Sequence, residues 1–337
     1  MRNEDRGCIE MRSIACEVCG SLQHRFLFEG WDRIFGLPGI FTIVKCEECG
    51  LLFMNPQPEK KEIKEYYPEA YHATRPSRYH EYSRLRKLVL KTYFGYDKSS
   101  NASKTRGFLR KIILAPFGFR YRRSIPFVEN GRLLDVGCGN GTELYKLKSM
   151  GWEAYGVEID EEAVTRARSK GLNVFTGDLL ERKFPDQFFD VVRMSFVLEH
   201  LPNPRETLQE IKRILRSRGR IYISIQNARS LHYWLFAKRW FSLDVPRHLF
   251  TFNPQTMQRL LSSLDLKIEK IHFDSGTRSF LVSLQYWVND LLQRKAFFQA
   301  PQPIAKSHLL KYLFRLPCWL VDRIRLGDLI HLEVVTR

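Results

Sequence analysis

Between residues 132 and 141 the chain reads RLLDVGCGNG, a mostly apolar run with an acid one place before its last residue, followed by three alternating glycines. The run has the length and branching of a strand buried on both faces. Glycines without Cβ atoms let the loop after it turn tightly and let a ligand approach the backbone. A helical pattern then continues to about residue 150. Strand, glycine loop and helix follow one another here as a parallel sheet requires, and this constrains the fold more than any other feature.

The same rhythm continues downstream. Strands are expected at 153–158, 173–176, 190–195 and 220–225, with later ones at 266–273 and 329–336. One helix fills 161–170 and closes at Gly171, and another starts after Asn203-Pro204 and ends before Arg218-Gly219. Seven strands with helices between them predict an α/β, Rossmann-like doubly wound sheet, mostly parallel, with helices on both faces. Asp190 is expected to order its strand. A hydrophobic fraction of 44% with 27% charged residues excludes overall disorder. The longest uncharged stretches, such as 279–289, fall short of the ~18 apolar residues of a spanning helix. The first residues mix both charge signs without an apolar core, so a cytoplasmic protein is expected, with the inner membrane face as a peripheral site.

Four of the seven cysteines form two CxxC-Gly pairs, Cys16/Cys19 and Cys46/Cys49, with 26 residues between them. Two thiolates three positions apart in a tight turn can face one ion, and two such knuckles complete a tetrahedral structural zinc site. A redox reading needs just one CxxC at a helix start. The module, 11–74, has few large apolar side chains and is expected to depend on its metal to fold. Cys8 and Cys318 look incidental.

The excess of 54 Lys+Arg over 37 Asp+Glu is concentrated. Residues 75–132 hold 15 basic and 3 acidic side chains, a net of +12. A focused patch attracts polyanions such as an anionic membrane or nucleic acid, although a solvated helical linker has the same composition. Tyr82, Leu85, Val89 and Tyr93 recur at helical spacing within 59–94. The organisation expected is therefore a flexible 1–10, the cysteine module, a basic helical linker over 75–126, and an α/β domain over 127–337 with a helical insertion at about 278–326.

The glycine loop departs from the dinucleotide pattern GxGxxG, because its third glycine falls one residue early. It also lacks the Gly-Lys-Ser/Thr ending of a P-loop. Asp135 before the first glycine would repel a pyrophosphate but suits the ammonium of an amino acid. Glu158, 19 residues after Gly139, can accept the hydroxyls of a ribose. DVGCGNG, then GVEID, Gly177-Asp178-Leu179 and FDVVRMSFVLEHLPNP resemble the motif series of class I S-adenosylmethionine-dependent methyltransferases over about 127–275. The resemblance implies that Gly137, Cys138 and Gly139 pass under the methionine moiety, with Asp135 near its amino group. Glu158 and Ile159 would hold the ribose end, Asp178 and Leu179 the adenine, and Ser195 the sulfonium side. CEECGLLFMNPQP at 46–58 resembles the zinc-binding module of some small-molecule methyltransferases, including sugar C-methyltransferases.

A hydroxyl or carbon acceptor needs its proton removed. His200, after the fourth strand, and His248, in LDVPRHLF, are the candidate bases, and Arg247 could grip an acidic substrate group. For His200, packing or capping beneath the loop is the competing role. The leading expectation is methylation of a sugar or lipid-linked glycan intermediate of the cell envelope. The aromatic segments 231–241, 280–292 and 309–325, of which the first and third also carry Lys and Arg, would contact anionic lipid or pack as ordinary amphipathic helices. The alternatives are an RNA methyltransferase using the ribbon and the basic stretch, and a cofactor-binding zinc protein without turnover. Against RNA, no Asn-Pro-Pro-Tyr type motif follows the fourth strand, where Ser195-Phe-Val-Leu198 stands instead.

Overall fold

The computed structural model of the protein describes residues 11–68, 79–96, 110–115, 117, 121, 123–294 and 296–337. The expectations for residues 1–10, and for the parts of the 75–126 linker not within these ranges, lie outside the described residues. The strands in chain order are β1 (Met11–Arg12), β2 (His24–Gly30), β3 (Phe41–Cys46), β4 (Leu52–Met54), β5 (Gln57–Pro58), β6 (Arg132–Val136) and β7 (Glu153–Glu158). They continue with β8 (Asn173–Thr176), β9 (Phe189–Ser195), β10 (Leu215–Gln226), β11 (Phe250–Thr251), β12 (Leu266–Asp274) and β13 (Leu329–Thr336).

Seven strands make one sheet in the order β12-β13-β10-β9-β6-β7-β8. β6 pairs in parallel with β7 and β9, and β7 with β8. Contacts from β10 to β13 run in opposite senses, from Ser217 with Thr336 through Arg220 with Glu333 to Ser224 with His331, so β13 is antiparallel to β10. The sheet is thus Rossmann-like, doubly wound and mostly parallel. Strand order reverses at β6, which lies between β7 and β9, and the carboxyl ends beside such a reversal are where open α/β sheets bind ligands.

By its contacts the chain divides into two compact units. The second, Ala70–Ser195, Gln209–Ile223 and Leu332–Arg337, contains β6 to β9. Its core joins Leu133, Leu144, Leu147, Trp152, Val164 and Val191, all nearly inaccessible. The helix Arg84–Tyr93 enters this core through Leu90, and the Ser83 side chain caps it by accepting from the Arg86 amide. The apolar stripe expected there is only partly buried. Leu85 and Tyr93 are each 38% exposed, whereas Tyr82 and Val89 are buried. Tyr82 precedes the helix, so helical phase does not govern it. Asp190 does hold its strand in place: it accepts from the Arg132 amide at 2.8 Å and from the Arg216 guanidinium at 2.8 and 2.9 Å. The Arg216 contact also accounts for β10 beginning at Leu215, five residues before the expected start.

The first unit comprises Met1–Glu69, Phe196–Leu208 and Ser224–His331. Its small antiparallel sheet has the order β11-β4-β3-β2. The fourth strand comes from far along the chain, with Phe250 opposite Phe53 and Thr251 opposite Leu52. Arg247, three residues earlier, is wholly inaccessible. Its Nη2 donates to Asp32 Oδ1 at 2.6 Å and to Asp244 Oδ1 at 2.7 Å, and Nη1 donates to the Tyr66 carbonyl at 2.9 Å. Asp32 also accepts from the amides of Ile34 and Phe35. The expectation that Arg247 grips a substrate acid is therefore corrected: its guanidinium is turned inward onto two carboxylates of its own chain.

Truncating one member of a buried ion cluster leaves the others desolvated and uncompensated, which costs about 3–5 kcal/mol. Urea unfolding of Arg247→Ala should show a loss in that range. A loss below about 1 kcal/mol would mean that the triad contributes no net stability.

Candidate functional site

Within the second unit, the loop after β6 turns at three glycines with φ of 66°, 54° and 77° for Gly137, Gly139 and Gly141. These left-handed angles are costly for residues with a Cβ. The amides of Gly137 and Cys138 both donate to the Val157 carbonyl, which fastens the loop to β7. Gly156 is needed for a different reason: a Cβ there would lie 2.5 Å from Cys138 Sγ. The half-buried Cys138 thiol has its pKa pushed up by burial, so it sits as a neutral loop residue.

Glu158 closes the cradle from the end of β7. Its Oε2 accepts from the Gly139 amide at 2.8 Å, and its Oε1 from the amides of Ile159 and Asp160 at 2.8 and 3.1 Å. A carboxylate has about four acceptor positions, so these three leave room for about one further donor. The expected ribose contact is thus limited to a single hydroxyl, on the Oε2 side. Ile159 beside it is 68% exposed, an apolar surface on which a base can lie. Asp178 accepts from the Leu180 amide, and Leu179 is buried. Ser195 is half-buried at the carboxyl end of β9, the strand adjacent to β6.

Asp135 is 1% exposed, and both its oxygens accept from Arg193 Nη1, at 2.6 and 2.7 Å. The two residues are register partners on β6 and β9. Burial pushes the Asp135 carboxyl up, opposed by the Arg193 charge beside it. A cofactor ammonium would share that carboxylate with Arg193. Sequence reading missed Arg193, although an arginine beside the apolar Val191, Val192 and Met194 of a central strand calls for an acidic partner.

Within the first unit, the two knuckles adopt the same turn. The Gly20 amide donates to the Cys16 carbonyl and the Gly50 amide to the Cys46 carbonyl, with φ of 77° and 76° at the two glycines. The four sulfurs lie within 4.8 Å of one another, with Cys16 to Cys49 at 3.4 Å and Cys19 to Cys46 at 3.5 Å. A tetrahedron with ~2.3 Å metal–sulfur bonds has edges of about 3.8 Å. The donor set therefore fits one zinc ion, and the residues Cys16, Cys19, Cys46 and Cys49 would hold it.

The same unit brings His200 and His248 together, their ring centroids 4.6 Å apart and edge to face. His200 Nδ1 is 2.9 Å from both the Arg247 carbonyl and the Tyr67 hydroxyl, and His248 Nδ1 is 2.8 Å from the Ser242 carbonyl. Burial pushes the His200 imidazole down to about 3 and lowers that of His248, so both are neutral at pH 7. Glu199 is fully buried, and this raises its carboxyl to about 7. Its Oε1 accepts from Gln226 at 2.7 Å, while its backbone carbonyl accepts from the Leu249 amide. Glu199, Tyr67 and Gln226 were not foreseen. Only Glu199 left a signal, as an acid next to a candidate histidine.

A family model described as a methyltransferase domain matches residues 103–271. The ubiquinone biosynthesis O-methyltransferase of Glaesserella parasuis serovar 5 (strain SH0165) is 26% identical over 178 residues, 47% of this chain and 73% of that protein. The 27-O-demethylrifamycin SV methyltransferase of Amycolatopsis mediterranei (strain S699) is 32% identical over 106 residues, 29% of this chain and 39% of that protein. The ubiquinone biosynthesis O-methyltransferase of Aeromonas salmonicida (strain A449) is 32% identical over 104 residues, 28% and 43% of the two chains. The chain thus spans less than half the length of the latter two. Among solved structures, a SAM dependent methyltransferase from Archaeoglobus fulgidus is 24% identical, with a TM-score of 0.45, covering 68% of this chain and 99% of that one.

Glu158→Ala frees the Gly139 amide and removes the remaining acceptor position. Isothermal titration with S-adenosylmethionine should show affinity reduced at least tenfold, since hydrogen bonds to a charged group contribute about 1.5–3 kcal/mol. Unchanged affinity would place the ligand elsewhere than on this loop.

Proposed function

The chain belongs to the methyltransferase domain family, the S-adenosylmethionine-dependent methyltransferases, and on that premise we propose that it methylates a hydroxyl of a small molecule, a sugar or a lipid-linked glycan intermediate. The observation that carries this is the glycine cradle closed by Glu158 on the Gly139 amide, which suits an amino-acid and nucleoside ligand. S-adenosylmethionine, when bound, supplies an electrophilic methyl group on a sulfonium. Transfer of that methyl group to an acceptor oxygen would require the hydroxyl proton to be taken up. Gly137 and Gly139 would admit the methionine portion, Glu158 and Ile159 the ribose end, and Asp178 with Leu179 the adenine. Ser195, at the end of β9, would face the reacting side.

We assign a part in the reaction to His248 and His200 with Glu199, a buried cluster of the first unit. His200, with its protonation pushed to about 3, orients rather than accepts a proton at neutral pH. The O-methyltransferase relatives support an oxygen acceptor. The cysteine module supports a sugar, through its resemblance to those of sugar methyltransferases. We assign one structural zinc ion to Cys16, Cys19, Cys46 and Cys49. Tritiated methyl transfer from S-adenosylmethionine, screened over nucleotide sugars and lipid-linked sugars, is expected to label one class. In His248→Ala the rate should fall at least a hundredfold, as when a group that assists removal of the acceptor proton is lost, while S-adenosylmethionine still binds. Normal turnover in that variant would remove the cluster from the reaction.

The helices His308–Leu313 and Arg315–Arg323 support a membrane-borne acceptor. Leu309, Tyr312, Leu313 and Leu316 are each more than half exposed, as is Leu320, with Lys311, Arg315 and Arg323 in the same segments. An apolar face bearing cations suits the surface of anionic lipid. Among the described residues no helix is long and apolar enough to cross a membrane. The protein should therefore float with phosphatidylserine-containing vesicles, and Leu316→Asp combined with Leu320→Asp should abolish this. Equal flotation of that variant, or none by the wild type, would overturn lipid contact.

A further inference from the structure

Glu199, His200 and His248 meet on two segments of the first unit. One is the turn Leu198–His200, and the other follows the short helix Phe241–Leu243. Each offers a ligand atom, and these atoms all lie within 4.8 Å of one another. Two features of their surroundings point to an ion rather than to packing alone.

The first is the tautomer of the histidines. In each, Nδ1 lies at hydrogen-bond distance from a backbone carbonyl, of Arg247 for His200 and of Ser242 for His248. A carbonyl only accepts, so each Nδ1 carries the proton, with the Tyr67 hydroxyl oxygen as a second acceptor for that of His200, and each Nε2 keeps its lone pair. Imidazoles that ligate metal ions are oriented in this way by their other nitrogen. The second is Glu199. Gln226 satisfies Oε1, but Oε2 is buried and has no hydrogen-bond partner among the described residues. A buried carboxylate oxygen left unpaired is costly and calls for a partner.

We propose that Glu199, His200 and His248 form a second metal site, distinct from the cysteine cluster, that takes a divalent transition-metal ion. Two imidazoles with one carboxylate suit Zn2+, Fe2+ or Mn2+ and disfavour Ca2+ and Mg2+, which prefer oxygen donors. Three protein ligands leave coordination open, as in catalytic rather than structural sites. An acceptor hydroxyl bound there would lose its proton more readily, which gives the cluster its role without using an imidazole as base. That use rests on the proposed methyl transfer, whereas binding of the ion does not.

The test is metal stoichiometry on the full chain, which needs no acceptor and no turnover. Zinc is added in excess and loosely held ions are removed by gel filtration before elemental analysis. Wild-type protein is expected to retain two equivalents per chain, and His248→Ala and Glu199→Gln one each. One equivalent in the wild type, or two in either variant, overturns the proposal. Cobalt loading reads the same question without depending on a variant that folds. A second cobalt should add visible d–d absorption with no further thiolate charge-transfer band, and saturation after the thiolate-bound ion alone would also overturn it.

Discussion

The first unit depends on one buried cation. Arg247 holds Asp32, Asp244 and the Tyr66 carbonyl together within a side chain that water does not reach. Asp32 lies in the loop between β2 and β3, and Asp244 ends a short helix some 200 positions later. Burying three charges would be unfavourable without this geometry, because desolvation exceeds the attraction unless every donor finds an acceptor. Once formed, the triad places more than itself. The backbone carbonyl of Arg247 receives the His200 ring, and the next residue is His248. The positions of both histidines therefore follow from an ion cluster that contains neither of them.

Most of the parallel core was legible because its residues follow local rules. Strands β6, β7, β8 and β13 start and end where apolar runs and turn signals place them. The cysteine knuckles are as plain, since spacing and a trailing glycine describe the whole turn. What could not be read depends on partners distant in sequence. The polar start of β10 is a strand because Arg216 finds Asp190 on β9, and the letters RSRGR alone suggest a turn. The helical pattern over 59–94 resolves into short pieces, the longest Arg84–Tyr93, because periodicity does not show where a helix starts.

The candidate site divides in the same way. The glycines and Glu158 were found from loop chemistry, and the structure adds the amide contacts that tie them together. His200 and His248 were chosen for their place after strands, but their proximity was invisible. Arg247 was chosen for its charge, and the two acids that neutralise it, 215 and 3 residues away, decide its role. Arg193 and Glu199 were passed over because a charged letter in a strand or turn calls for a partner without saying which group supplies it.

The two-residue strand β11 has a consequence for how the protein is made. β4 leaves the ribosome about two hundred residues before the segment that pairs with it. Throughout that interval the apolar Leu52-Phe53-Met54 edge has no neighbour on one side, and unpaired edges invite pairing with other chains. The cysteine-rich segment is first in the sequence yet among the last parts that can be completed during synthesis. Cutting the gene after the second knuckle would not yield a smaller version of the native module, because part of its sheet, Phe250–Thr251, is encoded about two hundred residues downstream.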